Sequence, residues 1–180
     1  MSDKVQGNQA ANAPKPKSKA RGSGADSALS AATREDGGLS PVLLAEDNPD
    51  DVYLIRQALR ETRALNPLQV VGNGEQAIHY LAGEGEFADR SAYPFPALFL
   101  LDLKMPVKDG LEVLRWLNQH PDIPQRLPVV VLSSTELPSE TQIAYAMDIQ
   151  ACIVKPLAYA ELRERIRILK EYWLDYEAAV

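Results

Sequence analysis

Five side chains with acid, hydroxyl or ammonium groups stand directly behind short apolar runs. Glu46 and Asp47 follow Val42-Leu43-Leu44-Ala45, and Asp102 follows Ala97-Leu98-Phe99-Leu100-Leu101. Ser133 follows Pro128-Val129-Val130-Val131-Leu132, and Lys155 follows Ala151-Cys152-Ile153-Val154. If these five residues share one rim, three carboxylates crowd together. Two like charges 4 Å apart cost about 4 kcal/mol at an effective dielectric near 20. Either one carboxyl keeps its proton or a cation sits among them. All-oxygen ligation without His or Cys suits a hard cation, Mg²⁺ most naturally, and Mg²⁺ usually shares its sphere with a phosphate. Aspartate is a competent nucleophile toward phosphoryl groups. A lysine and a serine beside it supply a positive point and a hydroxyl for the phosphoryl oxygens. The chemistry implied is phosphoryl transfer to one carboxylate, with the cation and Lys155 neutralising the charge that develops.

The elements between these positions alternate. The apolar runs read as buried strands, with a further one at Leu68-Gln69-Val70-Val71. Between them lie helical patterns. Asn48-Pro49-Asp50-Asp51 reads as an N-cap, a proline at the first helical position and two helix-start acids, before Leu54, Ile55, Ala58 and Leu59. Ala77, Ile78 and Leu81 mark a second helix, and Leu111, Val113, Leu114 and Leu117 a third, with Asp109 as its N-cap. Helices are also expected over 138–147 and over 157–177, and a polar loop over Gly83–Pro96. Five βα units imply a parallel sheet covered on both faces, with right-handed crossovers. In such sheets ligands bind beyond the C-terminal strand ends, near the topological switch point. With strand order 2-1-3-4-5, strands one, three, four and five are neighbours, and their C-terminal residues share one rim.

Composition sets the outer limits. The chain has 180 residues, 46% hydrophobic, and a single cysteine, Cys152, which excludes an internal disulfide framework or a multi-cysteine zinc site. No apolar run approaches the roughly 18–20 residues of a bilayer span, and no apolar segment at the start reads as a secretory signal. A cytoplasmic protein with no membrane partner is expected. Residues 1–40 are poor in large apolar side chains and carry six Lys/Arg against four Asp/Glu, whereas 41–180 carry a net charge of −8. The first segment reads as a disordered tail. The acidic body lacks the basic face that nucleic-acid binding needs.

From residue 41 to about 177 the chain resembles response-regulator receiver domains. The residues that carry the resemblance are Glu46-Asp47, Asp102-Leu103-Lys104-Met105-Pro106 with Asp109-Gly110, Ser133-Ser134, and Lys155-Pro156. The Gly83–Tyr93 insert and the Tyr172-Trp173-Leu174 ending resemble stand-alone regulators paired with phytochrome-type histidine kinases. The resemblance implies a flavodoxin-like (βα)5 fold of order 2-1-3-4-5, with residues 41–180 forming one receiver domain. It implies Asp102 as phosphoacceptor and Mg²⁺ held by Glu46, Asp47, Asp102 and the backbone carbonyl of Lys104. Ser133 would hydrogen-bond the phosphoryl group and Lys155 would pair with it. A cis Lys155–Pro156 bond is also implied. The partner would be a sensor histidine kinase. The protein would be a phosphoacceptor that dephosphorylates itself, not a turnover enzyme.

The chain departs from the family where Cys152 stands at a position usually aromatic, and where Lys104 stands two residues after the acceptor. Lys104 also argues against a hydrolytic aspartyl-phosphate phosphatase, which usually places a second acid there. An unphosphorylated, receiver-like binding module is the other alternative. No output domain is expected after the last helix, so the signal would leave by protein contact. A helix of 21 residues over 157–177 would span about 31 Å, longer than the roughly 17–20 Å strands beneath it. Its aromatic end, Tyr172, Trp173, Leu174 and Tyr176, is a candidate homodimer or partner face.

Overall fold

The structure is a computed structural model, and it describes residues 38–123, 127–134 and 149–175. The strands are β1 (Val42–Ala45), β2 (Leu68–Val71), β3 (Leu98–Asp102), β4 (Val129–Ser133) and β5 (Ala151–Val154). The helices are α1 (Pro49–Glu61), α2 (Gly74–Ala82), α3 (Gly110–Gln119) and α4 (Tyr159–Trp173). All five strands pair in parallel in the order β2-β1-β3-β4-β5, the flavodoxin-like arrangement. The helix expected over 138–147, the tail over residues 1–37 and Tyr176 lie outside the described residues.

Every residue of β1, β3 and β4 is buried, as covering a sheet on both faces requires. Side chains alternate faces along a strand, and the core divides accordingly. Leu43, Ala45, Phe99, Leu101, Val129 and Val131 pack with α2 and α3. Val42, Leu44, Leu98, Leu100, Val130 and Leu132 pack with α1 and α4, against Ile55, Ala58, Leu162 and Ile166. The two edge strands are less covered: three of four β2 residues and all four of β5 are half-buried, Cys152 among them.

The helix starts follow local chemistry. Asn48 Oδ1 accepts the Asp50 N–H at 2.9 Å, with Pro49 opening the helix. Asn73 caps α2 through the Gln76 N–H at 2.9 Å. Asp109 forms a full capping box with Glu112, each side chain accepting the other's backbone N–H.

Three expectations are corrected. The last helix is 15 residues, about 22 Å and close to strand length. It begins at Tyr159, after a bend at Leu157 and Ala158 in which Ala158 is still extended, and it ends at Trp173, where Leu174 folds into the core. The Lys155–Pro156 bond is trans, there being no cis bond among the described residues. Trans is the intrinsic preference of X–Pro by about 0.5–1 kcal/mol. The Gly83–Pro96 stretch is more ordered than a polar loop. A 3-10 turn at Gly85–Phe87 brings Phe87 and Tyr93 against Tyr80, with ring centroids 5.1–6.1 Å apart. Arg90 donates to the carbonyls of Tyr80 at 2.7 Å and Leu81 at 2.8 Å, satisfying the orphan end of α2. Among the described residues, no helix is long and apolar enough to cross a membrane.

Candidate functional site

The C-terminal rim gathers the acids because register sets where each strand stops. Ala45 lies opposite Leu101, so Glu46 and Asp102 are level at the ends of β1 and β3. Asp102 lies opposite Leu132, and Ser133 opposite Val154, so Ser133 and Lys155 step out along the same rim. The Lys155 N–H donates to the Ser133 carbonyl at 2.7 Å.

One oxygen from each of Glu46, Asp47 and Asp102 falls within 4.8 Å of the others. Glu46 and Asp102 are buried at 2% and 3% exposure, and Asp47 is exposed. The Lys155 ammonium is the counter-charge. Its Nζ lies 2.5 Å from Glu46 Oε2, 2.9 Å from Asp51 Oδ2 and 3.3 Å from Asp102 Oδ1. The first two contacts are hydrogen bonds; the third is an ion pair only, and Asp102 Oδ1 is buried with no hydrogen bond. Glu46 Oε1 accepts the Asn48 N–H at 3.1 Å.

Burial raises the Asp102 carboxyl above the ordinary range, with Lys155 and the backbone N–H groups of Leu103 and Lys104 pulling against it. Burial likewise raises Glu46, opposed chiefly by Lys155, while the Asp102 charge adds to the rise. Burial alone would lower the Lys155 ammonium. Its hydrogen bonds to Glu46 and Asp51 and the charges of Asp102 and Glu46 outweigh that and hold it above the ordinary lysine value. A buried, hydrogen-bond-starved carboxylate oxygen beside two further carboxylates is a place where a hard cation fits.

The loop from Asp102 to α3 is held tightly. The Gly110 N–H donates to the Leu103 carbonyl at 3.0 Å, and a Cβ on Gly110 would collide with the Asp102 carbonyl and lie 2.7 Å from Leu103 Cα. The Gly74 N–H holds the Lys108 carbonyl at 3.0 Å. Between these ties Val107 is forced to φ +67°, a left-handed conformation unfavourable for a β-branched residue. Strain of this kind collects at functional loops.

The structure therefore brings together Glu46, Asp47, Asp102 and Lys155. Ser133 is buried one step beyond on β4, and Lys104 follows Asp102 with its side chain in solvent. Sequence reasoning missed Asp51, which reads as a helix-start acid and is one, but also binds Lys155. The available signal is its place three residues into a helix that begins at the rim itself.

The profile of the response regulator receiver domain matches residues 42–167. The chain belongs to the response regulator receiver family. Response regulator Rcp1 of Synechocystis is 31% identical over 134 residues, covering 74% of this chain and 88% of Rcp1. The crystal structure of RPA3017, a response regulator in red light signalling of R. palustris, superimposes with a TM-score of 0.70 at 36% identity, covering 76% of this chain and 95% of that one. The phosphorylated cyanobacterial phytochrome response regulator RcpA gives 0.69 at 34%, with the same coverage. This receiver is thus a component of two-component signalling, with phytochrome-associated relatives. Receivers interact with histidine kinases and bind Mg²⁺ or Mn²⁺ at an acidic pocket, and Rcp1 has a Mn²⁺-bound crystal structure.

Proposed function

We propose that residues 41–180 form a phosphorylation switch in which Asp102 takes a phosphoryl group from a sensor histidine kinase of the phytochrome type, in the cytoplasm. The Asp102 carboxylate forms the new O–P bond as the N–P bond of the phosphohistidine breaks, and the neutral donor histidine departs. The observation that carries this reading is the buried Asp102 oxygen without a hydrogen bond, 3.3 Å from the Lys155 ammonium and ringed by Glu46 and Asp47.

Glu46, Asp47, Asp102 and the Lys104 carbonyl would hold Mg²⁺. When bound, that ion neutralises the phosphoryl oxygens. Lys155 supplies a second positive charge from the protein itself, already within ion-pair distance of the acceptor. The Ser133 hydroxyl, next along the rim, hydrogen-bonds the phosphorylated state and so shifts the population toward a signalling conformer. Water at the exposed Asp47 side of the site returns the acyl phosphate to the carboxylate. The signal then leaves by protein contact. The half-buried Trp173 and the exposed Ile168 and Tyr172 on α4 support a homodimer or partner face there.

The test is phosphotransfer from radiolabelled sensor kinases, with acetyl phosphate as a kinase-free donor. Acid-labile, base-labile label on the wild type in Mg²⁺, absent from Asp102→Asn and after chelation, is expected. Undiminished label on Asp102→Asn, or no label from any donor, would overturn the assignment.

A further inference from the structure

The Lys155 ammonium has three N–H donors, and two are committed to Glu46 and Asp51. The acceptor oxygen of Asp102 is left without one, although it lies only 3.3 Å away. The remaining donor makes no hydrogen bond to that oxygen, so for the ammonium to close onto an incoming phosphoryl group it must draw away from one of its two holders. The two holders differ in what release costs them. The Glu46 side chain is 1% exposed, and stripped of its counter-charge it would be an unpaired buried anion. The Asp51 side chain is 31% exposed, and it sits in the first turn of α1, where the helix dipole favours a negative charge. Water and the helix can take over its stabilisation.

We propose that Asp51 is a positioning residue that keeps Lys155 turned from the acceptor in the resting protein, and that it surrenders the ammonium when a phosphoryl group arrives. Asp51 thereby competes with the phosphoryl group for Lys155, and sets how strongly the active state is favoured. The inference rests on the phosphorylation reading above and extends it to a side chain outside the expected site.

The experiment measures binding of beryllofluoride, a phosphoryl mimic, to the full 180-residue chain in Mg²⁺. The bound fluorides are followed by ¹⁹F NMR. Asp51→Asn removes the competitor, and a gain in affinity of about three- to fivefold is expected, the worth of one partly exposed ion pair. Asp51→Glu, which can still reach Lys155, should return affinity toward wild type. Asp50→Asn removes the same charge from the same helix turn and should leave affinity unchanged, because no contact joins Asp50 to Lys155 among the described residues. A damaged fold would weaken binding, so a gain has no structural explanation of that kind. Equal or weaker binding by Asp51→Asn, or an equal gain from Asp50→Asn, overturns the inference alone. A wild type that binds no beryllofluoride overturns the phosphorylation reading and the inference with it.

Discussion

Replacing Asp102 by asparagine should make the metal-free protein more stable, and the size of the gain can be worked from the site. At 4.8 Å or less from Glu46, the Asp102 charge is opposed by at least about 3.5 kcal/mol at an effective dielectric of 20. Asp47 adds less, because its exposure lets water screen it. Lys155 at 3.3 Å returns about 5 kcal/mol on the same scale. The charge terms therefore nearly cancel. What decides the sign is the desolvation of a carboxylate whose Oδ1 has no hydrogen bond, a cost of about 1–3 kcal/mol. Asparagine keeps the shape, sheds the charge and offers N–H donors to the flanking acids. A gain of about 1–2 kcal/mol at pH 7.5 is expected, or roughly 3–6 °C in Tm for a chain of this length.

The pH dependence has a definite sign. The Asp102 carboxyl is raised by burial, so between its unfolded and folded values the native state binds more protons than the unfolded chain. Wild-type stability accordingly falls as pH rises through that window, which begins near the ordinary aspartate value of about 4. The advantage of Asp102→Asn should be absent below about pH 4, grow across the window and level off above it. Adding Mg²⁺ stabilises wild type by mass action and should narrow the gap. Urea melts at several pH values, with Mg²⁺ or chelator, measure all of this. A variant less stable than wild type at pH 7.5 without metal would refute the reasoning.

Other substitutions probe the same rim. Lys155→Met leaves Glu46 buried without its counter-charge and should cost about 3 kcal/mol. The raised lysine value keeps the wild-type pair intact from pH 7 to beyond the ordinary lysine range, so urea melts should show a penalty flat between pH 7 and 9 that shrinks in acid as Glu46 protonates. Gly110→Ala forces a Cβ onto the Asp102 carbonyl and Leu103 Cα, and should destabilise by about 2–3 kcal/mol in chemical denaturation. Val107→Gly releases the left-handed strain in an exposed loop residue; a gain of about 1 kcal/mol is expected by the same assay, and a loss would show that φ +67° carries no penalty.

Legibility in the sequence tracked how local the cause was. β1, β3 and β4 were readable because burial on both faces demands uninterrupted apolar runs. Asp109 was readable as a cap because a capping box lies within four residues. The convergence of Glu46, Asp47, Asp102 and Lys155 followed from strand ends once the order was assumed. The end of α4 was misplaced because Leu174 continues the apolar pattern of Tyr172 and Trp173 past the point where the helix stops, and is buried from outside it. The Tyr80, Phe87 and Tyr93 cluster has no sequence period at all; it forms because Arg90 folds the segment back onto α2. Asp51 was hidden by sufficiency: its role at the helix start explains its presence without reference to a lysine 104 residues away.

The Arg90 clasp has a practical consequence. It closes α2 at the end that leads back toward the start of β3, the opposite end of that strand from Asp102. Material spliced in beside Gly85, where even an added Cβ meets nothing within 4 Å, is remote from the phosphoryl chemistry. A fluorescent reporter or an affinity handle grafted there, with Arg90 and its three aromatic neighbours kept, would let the switch be watched without touching its trigger.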